Sequence, residues 1–150
     1  MVVDFSFKRS PKYRVAFLRG RVPWTERSLR AAFRELQAWA KQHQVRTGKW
    51  IIASPSNTYW EACLEIKGEA RGSGRIHIKV LPATSVATIT FDPGVVSPRV
   101  IYHGLMDWLK WRRKAHEIKS TGLTREIYPS DPWSDPKAWS RATVEYVVRR

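Results

Sequence analysis

What most constrains this chain is a repetition within it. Residues 5–16 read FSFKRSPKYRVA and residues 76–87 read IHIKVLPATSVA. A shift of 71 positions places Phe5 on Ile76, Phe7 on Ile78, Lys8 on Lys79, Pro11 on Pro82, Val15 on Val86 and Ala16 on Ala87. A shift of 72 carries Leu29, Phe33, Leu36 and Trp39 onto Ile101, Leu105, Trp108 and Trp111, and a shift of 74 carries Gly48 onto Gly122 and Pro55-Ser56 onto Pro129-Ser130. Self-similarity at a fixed period is the signature of one supersecondary unit used more than once. Two units, about 3–70 and 74–150, predict a fold with a pseudo-two-fold axis and a cleft at that axis, where a ligand has room.

The local signals run in the same order in both halves. Phe5-Ser6-Phe7-Lys8 alternates as a half-buried strand does, Pro11 interrupts it, and residues 13–18 continue extended. Thr25 is a good N-cap and Glu26 sits where the helix dipole favours an acid. Leu29, Phe33, Leu36 and Ala40 then form an apolar stripe, widened by Ala32 and Trp39, which predicts an amphipathic helix over 26–43. Strands follow at 50–53 and 61–67, and Arg71-Gly72-Ser73-Gly74 joins the halves. In the second half, strands at 75–81 and 86–91 precede a helix that starts at Ser97-Pro98, with Ile101, Leu105, Trp108 and Leu109 as its buried stripe. Strands at 125–128 and 142–148 close the chain. The expectation is a single α+β domain: two pseudo-symmetric strand–helix–strand–strand repeats forming a curved antiparallel sheet, with both helices on one face.

Strand periodicity then assigns faces. If Ile127 and Leu64 face the helices, Glu126 and Tyr128 point the other way, into the cleft, together with Glu61, Cys63 and Glu65. By the repeat, Ile52 is equivalent to Glu126, with Trp50 beside it. The chain has only 13 acids, so Glu61, Glu65 and Glu126 near Trp50, Trp60, Tyr128 and Trp133 would be a notable gathering. A carboxylate walled by aromatic rings attracts a cation by charge and by cation–π contact, and partial burial suits it to general acid or base work. Glu61 and Glu65 have the plainer alternative of pairing with Arg or Lys on an open sheet surface.

The stretch Arg125-Glu126-Ile127-Tyr128-Pro129-Ser130-Asp131-Pro132 resembles the E-x-Y-x-x-D-P signature of the GyrI-like family. Leu81-Pro82-Ala83 before a Val-Ala strand, Gly94 before the second helix and Trp108-Leu109 within it follow in family order. The family includes drug-binding domains of transcription activators and shares its fold with SOUL haem-binding proteins. The resemblance implies a site between the halves for a bulky aromatic, often cationic molecule, with Glu126 as the central carboxylate. Tyr128, Trp60, Glu61, Trp50 and Trp133 are then the expected ligand-binding residues. Some similar proteins open the cyclopropane of electrophilic DNA-alkylating toxins with water. If this chain is an enzyme, it is expected to be such a hydrolase, with Glu126 catalytic. The chain departs from the family pattern at Asp92, where His is common, and in the short loop SPSNTYW.

Other chemistry finds little support. Cys63 is the only cysteine, so no intramolecular disulfide forms. His43, His77, His103 and His116 show no metal-site spacing, and no phosphate loop or nucleophile elbow is present. His77 as a haem ligand is the weaker reading beside an exposed strand histidine. Neither cofactor nor metal is expected. No apolar run fits a signal peptide or membrane span, so a cytoplasmic protein without membrane contact is expected. The net charge of +14 leaves an alternative function. Arg27, Arg30, Arg34 and Lys41 share one stripe of the first helix, and Arg99, Lys110, Arg113 and Lys114 one stripe of the second. Such a face would hold nucleic acid by its phosphates, or modulate gyrase.

Overall fold

The computed structural model of the protein describes residues 4–22, 25–55, 58–91, 119–134 and 142–149. Its elements are β1 (Asp4–Ser10), β2 (Tyr13–Arg21), α1 (Glu26–Gln42), β3 (Arg46–Ser54), β4 (Tyr59–Lys67), β5 (His77–Leu81), β6 (Thr84–Phe91), β7 (Lys119–Tyr128) and β8 (Ala142–Arg149). The second helix expected at 97–114, with Arg99, Lys110, Arg113 and Lys114, lies outside the described residues.

The helix forms where its sequence signals place it. Thr25 is extended (φ −122°, ψ 157°), and its hydroxyl accepts the Ser28 backbone N–H at 3.0 Å while the Ser28 hydroxyl accepts the Thr25 N–H at 2.9 Å. This reciprocal pair satisfies two of the donors a helix N-terminus leaves open. Lys41 lies in the last turn, favourable to the dipole. The chain leaves through Gln44, whose φ of 55° is left-handed, and the Val45 N–H closes onto the Ala40 carbonyl at 2.8 Å.

All eight strands pair antiparallel in one sheet, in the order β1-β6-β8-β7-β3-β4-β2-β5. Residues 5–18, expected as one extended run broken at Pro11, form β1 and β2 on the two sides of that proline. Pro11 has no N–H to give a ladder, and the ladder lapses at Pro11-Lys12 without a change of register, since Ser10 lies opposite Thr84 and Tyr13 opposite Leu81. β1 pairs with β6 (Phe5 opposite Ile89) and β2 with β5 and β4, so the two ends of the strand order are joined along the chain through residues 10–13 and 81–84. Irregularities in register fall between Thr47 and Trp50 on β3 and between Ser120 and Thr124 on β7. At the first, Gly48 lets the Glu65 carboxylate close on the backbone, where it accepts the Lys49 N–H at 3.0 Å.

Both faces of the central strands are buried. On one, Leu29, Phe33, Leu36 and Trp39 of α1 pack on Ala16, Leu18, Trp50, Ile52, Ala62, Leu64 and Tyr128. On the other, Tyr13, Val15, Ile51, Ala53, Cys63 and Ile127 form a second apolar layer. Apolar burial at roughly 25 cal/mol per Å² is the main favourable term holding both layers.

Candidate functional site

The face assignment of β7 is the main correction to the sequence reading. Ile127 joins the layer remote from α1, and Tyr128 joins the layer under α1. Glu126, the direct partner of Ile52 on β3, therefore lies on the α1 side as well. The expectation that Ile127 faces the helix fails because the opposite layer is equally apolar. The assignments on β4 hold: Leu64 packs under α1, and Cys63 lies on the far face.

On the α1 side the sheet centre gathers four of the expected residues. Trp50 and Tyr128 are direct cross-strand neighbours. Trp50 stacks on Phe33 of α1 with ring centroids 4.5 Å apart and an interplanar angle of 17°. Trp133, from the segment after β7, closes the cluster at 6.0 Å from Phe33 and 6.1 Å from Trp50, tilted to both. Asp131 fixes that segment: its carboxylate accepts the Trp133 N–H at 2.9 Å and the Ser134 hydroxyl at 2.7 Å. Next to these rings, the Tyr128 hydroxyl donates to Glu126 Oε2 at 2.9 Å. Burial, then the Glu126 charge and this bond, push the Tyr128 hydroxyl well above its ordinary range. Tyr128 is therefore a fixed donor to a half-buried carboxylate. The Arg30 guanidinium lies 5.8 Å from the Trp133 ring centroid, so one ring of the cluster already holds a cation.

Two expected residues have other polar partners. Trp60 is on the α1 face, but its indole fits over Gly20 and donates to the Arg21 carbonyl at 3.0 Å. Glu61 lies on the opposite face, 1% exposed, held by Arg19 at 2.9 Å and by Lys79. The period of two along β4 sends Trp60 and Glu61 to opposite faces, so a shared wall was never open to both. Glu65 pairs with Lys67 at 3.4 Å, the plainer of its two alternatives. Phe33 was legible only as helix core, and nothing in its spacing showed that it would stack on Trp50.

Arg27 and Arg34 are exposed on the outer side of α1, and they border a surface depression with Glu26, Arg30 and Ala31. Arg30 also pairs with Glu26 at 3.8 Å. His77 is exposed and packs beside Phe17. Among the described residues no group of His, Cys, Asp and Glu could hold a metal ion, and no helix is long and apolar enough to cross a membrane.

An antiparallel sheet thus carries a helix on one face, with a carboxylate and stacked rings at its centre, and such a fold does not by itself fix the function. The sequence matches the GyrI-like small molecule binding domain over residues 4–149, and the chain belongs to that family. Solved structures share the fold. The EcmrR C-terminal domain superposes with a TM-score of 0.70 at 18% identity, covering 100% of this chain and 99% of that one. In an EcmrR–DNA complex the TM-score is 0.75, and this chain spans 58% of the EcmrR chain there. A hydrolase encoded by lin2189 from Listeria innocua gives 0.63 at 11% identity, covering 97% of this chain and 91% of that one. SAV2435 bound to tetraphenylphosphonium gives 0.51 at 6% identity, covering 98% and 94%. No curated protein matches this chain in sequence.

Proposed function

We propose that this domain binds a bulky aromatic cation on the α1 side of the sheet centre, with Glu126 as counter-charge and Trp50, Tyr128 and Trp133 as its aromatic surroundings. The observation that carries this reading is the half-buried Glu126 carboxylate, fixed by Tyr128 beside a stacked tryptophan cluster. A cation there gains from the carboxylate and from ring faces in a partly desolvated place, where both attractions exceed their values in water. Tetraphenylphosphonium, the ligand of the SAV2435 structure, is the natural probe.

The two-unit architecture belongs to the same reading. Exchanging β1–β4 with β5–β8 leaves the strand order unchanged, and the two register irregularities fall at repeat-equivalent places, Trp50 and Thr124. On this view Ile52 and Glu126 meet at the pseudo-two-fold axis, and the ligand lies where the halves differ.

Calorimetric titration with tetraphenylphosphonium and with an uncharged analogue of the same shape tests the reading. The cation binds more tightly to the wild type, and Glu126→Gln abolishes that preference. Equal binding of both probes to the wild type overturns it. Hydrolysis of an electrophilic cyclopropane is the catalytic form of the same site: the Glu126 carboxylate takes a proton from water as the water oxygen bonds to the ring carbon, and the strained C–C bond breaks with its electron pair passing to the conjugated carbonyl that activates the ring, which takes a proton from solvent. Turnover of such a compound, lost in Glu126→Gln, distinguishes enzyme from binder. Exposed Arg27 and Arg34 favour a second reading, phosphate-backbone binding along α1. That reading predicts DNA affinity that falls steeply with salt and with charge reversal at Arg34.

A further inference from the structure

The sheet face away from α1 carries two buried carboxylates. Glu61 is held by Arg19 and Lys79. Glu145, 1% exposed, accepts the Ser10 hydroxyl at 2.9 and 3.0 Å and faces Arg125. The register sets these groups in one row, in which Arg19, Glu61, Ala53, Arg125 and Glu145 are successive cross-strand neighbours on β2, β4, β3, β7 and β8. Ala53 has the smallest side chain of the row. A cavity of about 180 Å³ opens beside it, walled by Ala53, Leu81 and Val147 and bordered by Glu61, Lys79 and Arg125.

The polar groups around this cavity are unequally satisfied. Both Glu61 oxygens meet cations. Arg125 is 7% exposed, and its Nη2 lies 2.9 Å from Glu145 Oε1 but off the line of a hydrogen bond, while its Nε has no acceptor. Buried donors without acceptors are uncommon and costly. What is missing is an acceptor, not a donor. In charge, three cations of the row and its border (Arg19, Lys79, Arg125) face two carboxylates (Glu61, Glu145), so one further negative charge brings the balance to zero. In size, an apolar cavity of about 150 Å³ admits a benzene ring, whereas drug-sized ligands need roughly 300 Å³ or more.

We propose that this cavity is a second ligand site, for a small carboxylate with one apolar ring, whose carboxylate meets Arg125 and whose ring lies against Ala53, Leu81 and Val147. A buried ion-pair row is weak evidence for stability, since apolar replacements often do as well. A ligand that completes the row gives it a use. The site lies across the sheet from the cation site and is independent of it.

Benzoate titrated into the full chain, with benzyl alcohol and benzylammonium as controls, tests the proposal. Benzoate binds one site and the controls bind at least about tenfold more weakly, as a charge-assisted contact requires. Ala53→Leu, which fills the cavity, weakens benzoate about tenfold or more and leaves tetraphenylphosphonium affinity unchanged. Arg125→Met/Glu145→Met removes both charges together, leaves neither unpaired, and also loses benzoate. Methyl NMR of the wild type needs no variant: benzoate shifts the Ala53, Leu81 and Val147 methyl signals and not those of Ile52. No benzoate binding, equal binding of the controls, or shifts confined to Ile52 would overturn the proposal. Loss of tetraphenylphosphonium binding alone would instead count against the cation site.

Discussion

Ile52 and Glu126 are direct cross-strand neighbours on β3 and β7, the central pair of the eight-stranded sheet. Ala62 lies beyond Ile52 on β4, and Val144 lies beyond Glu126 on β8. Glu126 is thus the one carboxylate in a row of aliphatic side chains. A charge costs more there than at an open surface, and it attracts an opposite charge correspondingly better.

Tyr128→Phe removes the hydroxyl that donates to Glu126 at 2.9 Å. A hydrogen bond to a charged group is worth about 1.5–3 kcal/mol, with part recovered by solvent at this half-buried carboxylate. The variant is expected to bind tetraphenylphosphonium more weakly by severalfold. In the wild type, Tyr128 stays protonated as exposed tyrosines ionise, because burial and the Glu126 charge both disfavour its anion. Ultraviolet titration of wild type against Tyr128→Phe should show the same early tyrosinate signal in both.

Trp133 holds a cation on one face already, through Arg30. Trp133→Ala should cost about 1 kcal/mol of cation binding, the usual scale of a cation–π contact. It should spare an uncharged probe more. Titrating both probes into the variant measures the difference.

Gly20 and Trp60 are in direct contact on neighbouring strands. A Cβ at Gly20 would overlap the Trp60 indole, which is 6% exposed. Gly20→Ala should lower stability by about 1–3 kcal/mol, the cost of overpacking, with little change in ligand affinity for the protein that remains folded. Urea unfolding and calorimetry separate the two effects.

Cys63 is fully buried, and burial, followed by the Glu61 charge, pushes its thiol from 9.0 up to about 12. The folded state keeps a proton there that the unfolded chain releases. Stability from this group is therefore complete below pH 9 and declines as pH rises towards 12. Native protein at pH 8 should resist alkylation, with rapid reaction only after unfolding. In Cys63→Ala the decline over that alkaline window should be shallower.

The sequence made some of this plain and hid the rest for identifiable reasons. Thr25, Glu26 and the stripe from Leu29 to Ala40 define α1 locally, so spacing located it within a residue of its observed end. The shift of 74 that carries Gly48 onto Gly122 also carries Ile52 onto Glu126, and the register makes these two residues direct cross-strand neighbours. The face of β7 was not legible. Ile51, Ala53, Cys63 and Ile127 bury a second layer beyond the sheet, so apolar character does not mark the helix side. A one-residue choice then reverses every side chain. Glu61 read either as a second site carboxylate or as a partner of Arg or Lys, and the structure pairs it with Arg19 and Lys79 on the face across the sheet from Glu126.

The most direct test of the account compares tetraphenylphosphonium affinity in the wild type, Glu126→Gln and Glu61→Gln under one buffer. Losing the counter-charge at Glu126 should weaken binding about tenfold or more, the scale of a Coulombic attraction in a partly desolvated place. Glu61→Gln, across the sheet, should match the wild type. Undiminished binding in Glu126→Gln, with loss in Glu61→Gln, would place the ligand on the other face and contradict the account.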